Sequence, residues 1–130
     1  MGFYSEQFHK LNGELYSKHY LTRQLIQAKH FMEEHFADKL SVANFAREAC
    51  LSKFHFIRLF KTYYGYTPHQ HLISVRIREA RKLLANNEPV AAVCAQCGFE
   101  SVPSFTALFK RSTGATPAAF REQAQKSNNR

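Results

Sequence analysis

Two stretches of this chain nearly repeat each other. Phe56–Pro68 reads FIRLFKTYYGYTP and Phe105–Pro117 reads FTALFKRSTGATP, with Phe, Leu, Phe, Lys, Gly, Thr and Pro at matching places. Such a repeat constrains the fold more than any single residue, because both copies must take the same local structure. In each copy the apolar residues recur at three- and four-residue spacing, the period of an amphipathic helix and not of a strand. The glycine ends that helix as a C′ residue. Thr-Pro then starts another, with threonine as the cap and proline at the first helical position.

The same signals extend outward from the repeat. Thr22 is expected to cap a helix carrying Leu25, Ala28, Met32 and Phe36. Ser41 caps a short helix with Val42, Phe45, Ala46 and Ala49 inward, and Cys50-Leu51-Ser52 forms a turn. Ser52 caps a helix burying Phe56, Leu59, Phe60 and Tyr63, which ends at Gly65. Thr67-Pro68, with Gln70 closing a capping box, opens a long helix. Its stripe is Ile73, Ile77, Ala80 and Leu84, and Asn86-Asn87 stop it. Pro89 then opens a short helix with Val90, Val93, Cys94 and Cys97 inward, and Gly98-Phe99-Glu100 turn the chain. Ser101 caps a helix burying Phe105, Leu108 and Phe109, Gly114 ends it, and Thr116-Pro117 start a last helix to about Ala124.

The fold class expected is therefore all-α, with about seven helices. A short helix, a tight turn and a second capped helix form a helix-turn-helix unit. Two such subdomains, residues 22–66 and 88–125, are joined by a linker helix, 67–87. Residues 1–21 form an arm with a partial helix through Phe8, Leu11 and Leu15, and residues 126–130 are a frayed tail. The turns differ by one residue, since Val42–Leu51 match Val90–Phe99 at an offset of 48 and the offset from Ser52 onward is 49.

Composition now becomes informative. Twelve Phe and six Tyr within 45% apolar residues can build a core without staples. The net charge is +8, which favours an anionic partner, nucleic acid or an acidic membrane surface. Residues 53–82 hold Lys53, Arg58, Lys61, Arg76, Arg78, Arg81 and Lys82 against one acid, Glu79. The longest apolar run, Val90–Ala95, falls far short of the ~20 residues that span a bilayer. The odd cysteine count and the lack of a secretory start point to a soluble protein of a reducing cytoplasm.

At about 100° per residue, the Ser52–Gly65 helix places Phe54, Ile57, Arg58 and Lys61 opposite its buried side. Exposed Phe and Ile suit thymine methyls, Arg58 suits the O6 and N7 of guanine, and Lys61 suits phosphate. The alternative is a surface salt bridge for Arg58 and a lid on the core for Phe54. In the second copy the outward residues are Val102, Pro103, Thr106, Ala107 and Lys110, with Arg111 nearby. Pro103 fits the first helical turn, whose N–H groups have no intrahelical partner. Ser52, Lys53, Lys61, Lys82, Ser101, Lys110 and Arg111 are expected at phosphates.

The string SKFHFIRLFKTYYGYTPHQHL…VRIREARKLL…VAAVCAQCGFESVPSFTALFKRSTGATPAAFR resembles the DNA-binding domain of AraC/XylS-type bacterial transcription regulators, over about residues 22–124. The resemblance implies seven helices in two helix-turn-helix subdomains, each inserting a recognition helix into one of two successive major grooves. Carried over by position, the base-reading places are Phe54, Ile57 and Arg58 in the first helix and Val102, Pro103 and Ala107 in the second. Several members carry polar residues at the second set, and this chain does not. Cys50 also stands where the family turn often has glycine.

Cys94-x-x-Cys97 faces the core with Ala46 and Ala49 as counterparts, and neither His nor Cys lies close enough to complete four zinc ligands. His69-x-His71 has the wrong spacing for a helical metal pair and is expected near backbone phosphates. No phosphate loop, carboxylate pair or nucleophile elbow appears, so neither an enzyme nor a cofactor or metal is expected. The expectation is a small stand-alone regulator, an activator that binds double-stranded DNA as a monomer, with RNA polymerase as a further partner and the nucleoid as its place. The alternatives are an architectural binder without sequence preference, and an adaptor or dimer working through the Phe3–Tyr20 arm.

Overall fold

The computed structural model describes residues 2–128, with side chains described from Lys18 onward. Seven helices follow one another: α1 (Gly2–Glu34), α2 (Val42–Glu48), α3 (Lys53–Tyr64), α4 (Pro68–Ala85), α5 (Val90–Gln96), α6 (Val102–Thr113) and α7 (Pro117–Asn128). No strand occurs among the described residues. The all-α reading therefore holds.

Polar caps set most of the boundaries. Ser41 N–H donates to Asn44 Oδ1 at 2.8 Å, half of a capping box at the start of α2. Ser52 Oγ accepts from His55 N at 3.2 Å, and Ser101 Oγ accepts from Ser104 N at 3.2 Å. Both repeat helices thus begin with the same cap. They also end alike: Gly65 and Gly114 adopt φ 86° and 87°, and each N–H donates at 2.8 Å to Lys61 O or Lys110 O. Thr116 Oγ1 accepts from Ala119 N at 3.1 Å at the start of α7.

The chain divides into two compact units. One contains Met1–Met32 and Ser41–Pro68, the other Glu33–Leu40 and His69–Arg130. In the first, Leu25, Ala28, Met32, Phe45, Ala46, Ala49, Phe56 and Phe60 are buried. Phe31 meets Phe45 edge-on at 6.1 Å. In the second, Ile77, Ala80 and Leu84 of α4 bury against Val93, Cys94 and Cys97 of the α5 segment, Phe99 of the turn, and Phe105 and Phe109 of α6. The repeat extends to the packing: Phe56–Phe60 and Phe105–Phe109 are both edge-on pairs, at 5.6 and 5.7 Å.

Several expectations are corrected. Thr22 does not start a helix: it lies inside α1, and its hydroxyl donates to Lys18 O at 3.0 Å. The arm and the first helix are thus one element, while Phe8, Leu11 and Leu15 lie outside the described side chains. Phe36 falls beyond α1 and packs on the second core. Tyr63 is 51% exposed, because α3 turns that flank outward and the ring stands edge-on to Tyr64 at 4.8 Å. The last helix continues to Asn128 with a Lys126–Glu122 pair at 3.5 Å, past the end near Ala124 expected from sequence, and residues 129–130 lie outside the described residues. Apart from Pro68, α4 groups with the second unit, as does the segment 33–40, so the units do not follow the segmentation expected from sequence.

Candidate nucleic-acid interface

The exposed face of α3 carries the expected residues. Phe54 is 87% exposed, and Ser52, Lys53, Arg58 and Lys61 are exposed. Ile57 is half-buried, on the flank where the reading face turns into the core. An almost fully exposed phenyl ring on a helix with no acidic residue is an unusual use of apolar surface. The helix holds it there because Phe56 and Phe60, two and six residues on, occupy the opposite side.

Two residues refine this face. His55 is exposed about 60° around the helix from Arg58, and the sequence reading missed it. A wheel counted from the Ser52 cap would have found it. Thr62 is exposed as well, but its hydroxyl is spent on Arg58 O at 2.9 Å.

On α6, Val102 is 40% exposed, Ser101, Pro103, Ala107, Lys110 and Arg111 are exposed, and Thr106 is half-buried. Ser104 takes the place of His55, Ala107 that of Arg58, and Arg111 that of Thr62. The first face thus has an arginine at its centre, and the second has a methyl group there with its cations one turn further along.

Not every cation of residues 53–82 faces outward. Arg76 is half-buried, its Nε donating to Phe36 O at 2.7 Å. Arg81 is exposed, with its guanidinium 5.7 Å from the centre of the Phe120 ring. Lys82 is exposed and pairs with Glu79 at 3.3 Å, a surface pair of small net worth that phosphate can displace.

Cys94 and Cys97 lie in the second core. Burial raises both thiols, and Cys97 is pushed up to about 11 by burial, by Glu79 and by Cys94, against the opposing pull of Arg76. Such thiols are poor ligands and poor nucleophiles. No group of three or more His, Cys, Asp or Glu that could hold a metal ion occurs among the described residues. No helix of the described residues is long and apolar enough to cross a membrane.

Comparison with known proteins gives this geometry a family. A family model described as a helix-turn-helix domain matches residues 45–123. The chain is 34% identical over 97 residues to the probable transcriptional regulator LumQ of Photobacterium leiognathi, covering 74% of this chain and 39% of that protein. It is 33% identical over 96 residues to the MmsAB operon regulatory protein of Pseudomonas aeruginosa, covering 73% and 31%. The chain thus spans well under half the length of these relatives. Among solved structures, the DNA-binding domain of the global transcriptional factor AdpA, in complex with a target DNA, superposes with a TM-score of 0.77. It shares 30% identity, over 82% of this chain and 96% of that one. Two capped helix-turn-helix units, these relatives and this superposition lead to one conclusion: the chain belongs to the AraC/XylS-type helix-turn-helix family of DNA-binding transcription regulators.

Proposed function

We propose that this chain acts as a sequence-specific, double-stranded DNA-binding transcription activator that places α3 and α6 in successive major grooves. The observation that carries the reading is the outer face of α3, where an 87%-exposed Phe54 stands near Arg58 with Lys53 and Lys61 beside them. Exposed phenyl surface has a use against thymine methyls, and arginine is the side chain best matched to a guanine edge. The AdpA domain, similar over most of this chain, was solved on a target DNA. Ser52, Lys53, Lys61, Lys82, Ser101, Lys110 and Arg111 meet phosphates and set the register. Val102, Pro103, Thr106 and Ala107 sense methyls and groove shape in the second half. The chain binds as a monomer, works by binding and not by catalysis, contacts RNA polymerase when it activates, and resides in the cytoplasm on the nucleoid.

Selection from random duplexes, followed by base-by-base affinity measurement, tests this. An enriched non-palindromic site is the expected result. Equal affinity for all duplexes would instead make the protein an architectural binder. Activation is tested separately, by transcription in vitro from a promoter carrying the selected site.

A further inference from the structure

The turn between α5 and α6 rests on a piece of chain far from it in sequence. Gly98, at φ 85°, lies so close to residue 37 that a methyl group in place of its hydrogen would sit 2.9 Å from Ala37 O and 3.0 Å from Ala37 C and Cα. The segment around Ala37 is itself held from α4. Arg76 Nε donates to Phe36 O at 2.7 Å and its Nη2 to Asp38 O at 3.3 Å. One guanidinium therefore grips the carbonyls on either side of Ala37. These carbonyls lie beyond the end of α1, and Asp38 O also accepts from Leu40 N at 2.9 Å. Phe36 packs on the second core, and Glu33 Oε1 lies 3.2 Å from Nε2 of the buried His71, so the N-terminal side of the segment is anchored as well.

We propose that Arg76 is a positioning residue for the second reading helix. By clamping residues 36–38 it fixes the seat on which Gly98 rests, and so the entry of α6 two residues after Glu100. The clamp also lies within the electrostatic reach of that turn: burial lowers the Arg76 pKa, and Cys97 and Glu100 pull it back up. At the matching place the first unit carries no arginine. Its counterpart of Gly98 is Cys50, which is exposed, and the positions 48 and 49 residues before Arg76 are Ala28 and Gln27. The inference rests on reading α6 as a DNA-contacting helix.

The test uses the full chain and the site returned by selection. For each protein, affinity is measured on the whole site, on a duplex with the second half replaced, and on one with the first half replaced. The ratios report what each half contributes. All measurements are made where far-UV circular dichroism shows the variant fully folded. Arg76→Ala should lower the contribution of the second half about ten-fold, the worth of roughly one base pair, and leave that of the first half unchanged. Arg76→Lys, which keeps a cationic donor, should restore part of it. Gly98→Ala, which lifts the turn off its seat without touching the clamp, should give the same one-sided loss and carries the test if Arg76→Ala does not fold. Equal losses in both halves, or an intact second half in Arg76→Ala and Gly98→Ala, would overturn the assignment. A wild type with no base preference in either half would instead sink the underlying DNA reading, and this one with it.

Discussion

Cys50 and Gly98 occupy the same place in the two turns and solve the same backbone problem differently. Cys50 takes φ 58°, in the left-handed region, with a side chain present. Holding a non-glycine residue there costs about 1–2 kcal/mol. Cys50→Gly is therefore expected to raise stability by about 1 kcal/mol, measured by urea denaturation. Gly98→Ala should lower it by roughly 2 kcal/mol or more, since the backbone penalty adds to the approach to Ala37. If the two substitutions moved stability in the same direction, this account of the turns would fail. The other decisive residue is Arg58. Arg58→Ala should cost about 1–3 kcal/mol on the selected site and relax preference at one base pair. Ala107→Arg should add a guanine preference in the second half, since position 107 is exposed and its addition disturbs no core residue. Affinity profiles over all single-base variants check both, and stronger wild-type discrimination in the second half than in the first would contradict the asymmetry.

Among the elements, α5 shows how a metal-like spacing can be core. Cys94 and Cys97 stand three residues apart on one face and are buried, whereas Cys50 is exposed. Thiol alkylation of the native protein should give one fast site, Cys50, with the other two reacting only on unfolding. The raised Cys97 also fixes a pH dependence. Its ordinary value of 9.0 becomes about 11 in the folded chain. Between these values the unfolded chain loses the proton that the folded chain keeps, so stability falls as pH rises through that window. The contribution is fully present below pH 9.0 and is on the order of 2 kcal/mol. Cys97→Ala should be less stable at neutral pH but show a shallower decline from pH 9 to 11 than the parent, followed by denaturation at each pH. At the other end of this unit, α7 reaches back to cap α4: Arg121 donates to Asn87 O at 3.1 Å and Gln125 to Ala85 O at 3.2 Å.

For the molecule as a whole, the tandem repeat takes, in the proposed binding mode, the place that two-fold symmetry holds in dimeric helix-turn-helix proteins. One chain should protect two major-groove segments roughly 34–36 Å apart on one DNA face. An obligate complex of two chains on a palindrome would contradict this. Lys61→Ala should weaken binding about equally on all duplexes and reduce the salt slope by roughly 1, and a change in base preference at unaltered slope would reassign that residue. Much of the fold was legible in the sequence. Seven helices, the caps at Ser52 and Ser101, the glycine stops at Gly65 and Gly114, and the outward Phe54 and Arg58 all follow from local chemistry, because period, cap and turn residue act within one or two turns of helix. The repeat itself announced that each unit would bury its phenylalanines in the same way. What lay beyond reach depends on contacts between residues forty or sixty positions apart. Nothing near Phe36 says that it leaves the first helix for the second core, and nothing near Arg76 says that its charge turns inward to two carbonyls. Only the folded chain brings Ala37 beneath Gly98, so only tertiary structure decided that Arg76 turns inward and what seats the second turn. Local sequence encodes where helices begin and end; the burial of their faces is a property of whatever the rest of the chain places against them.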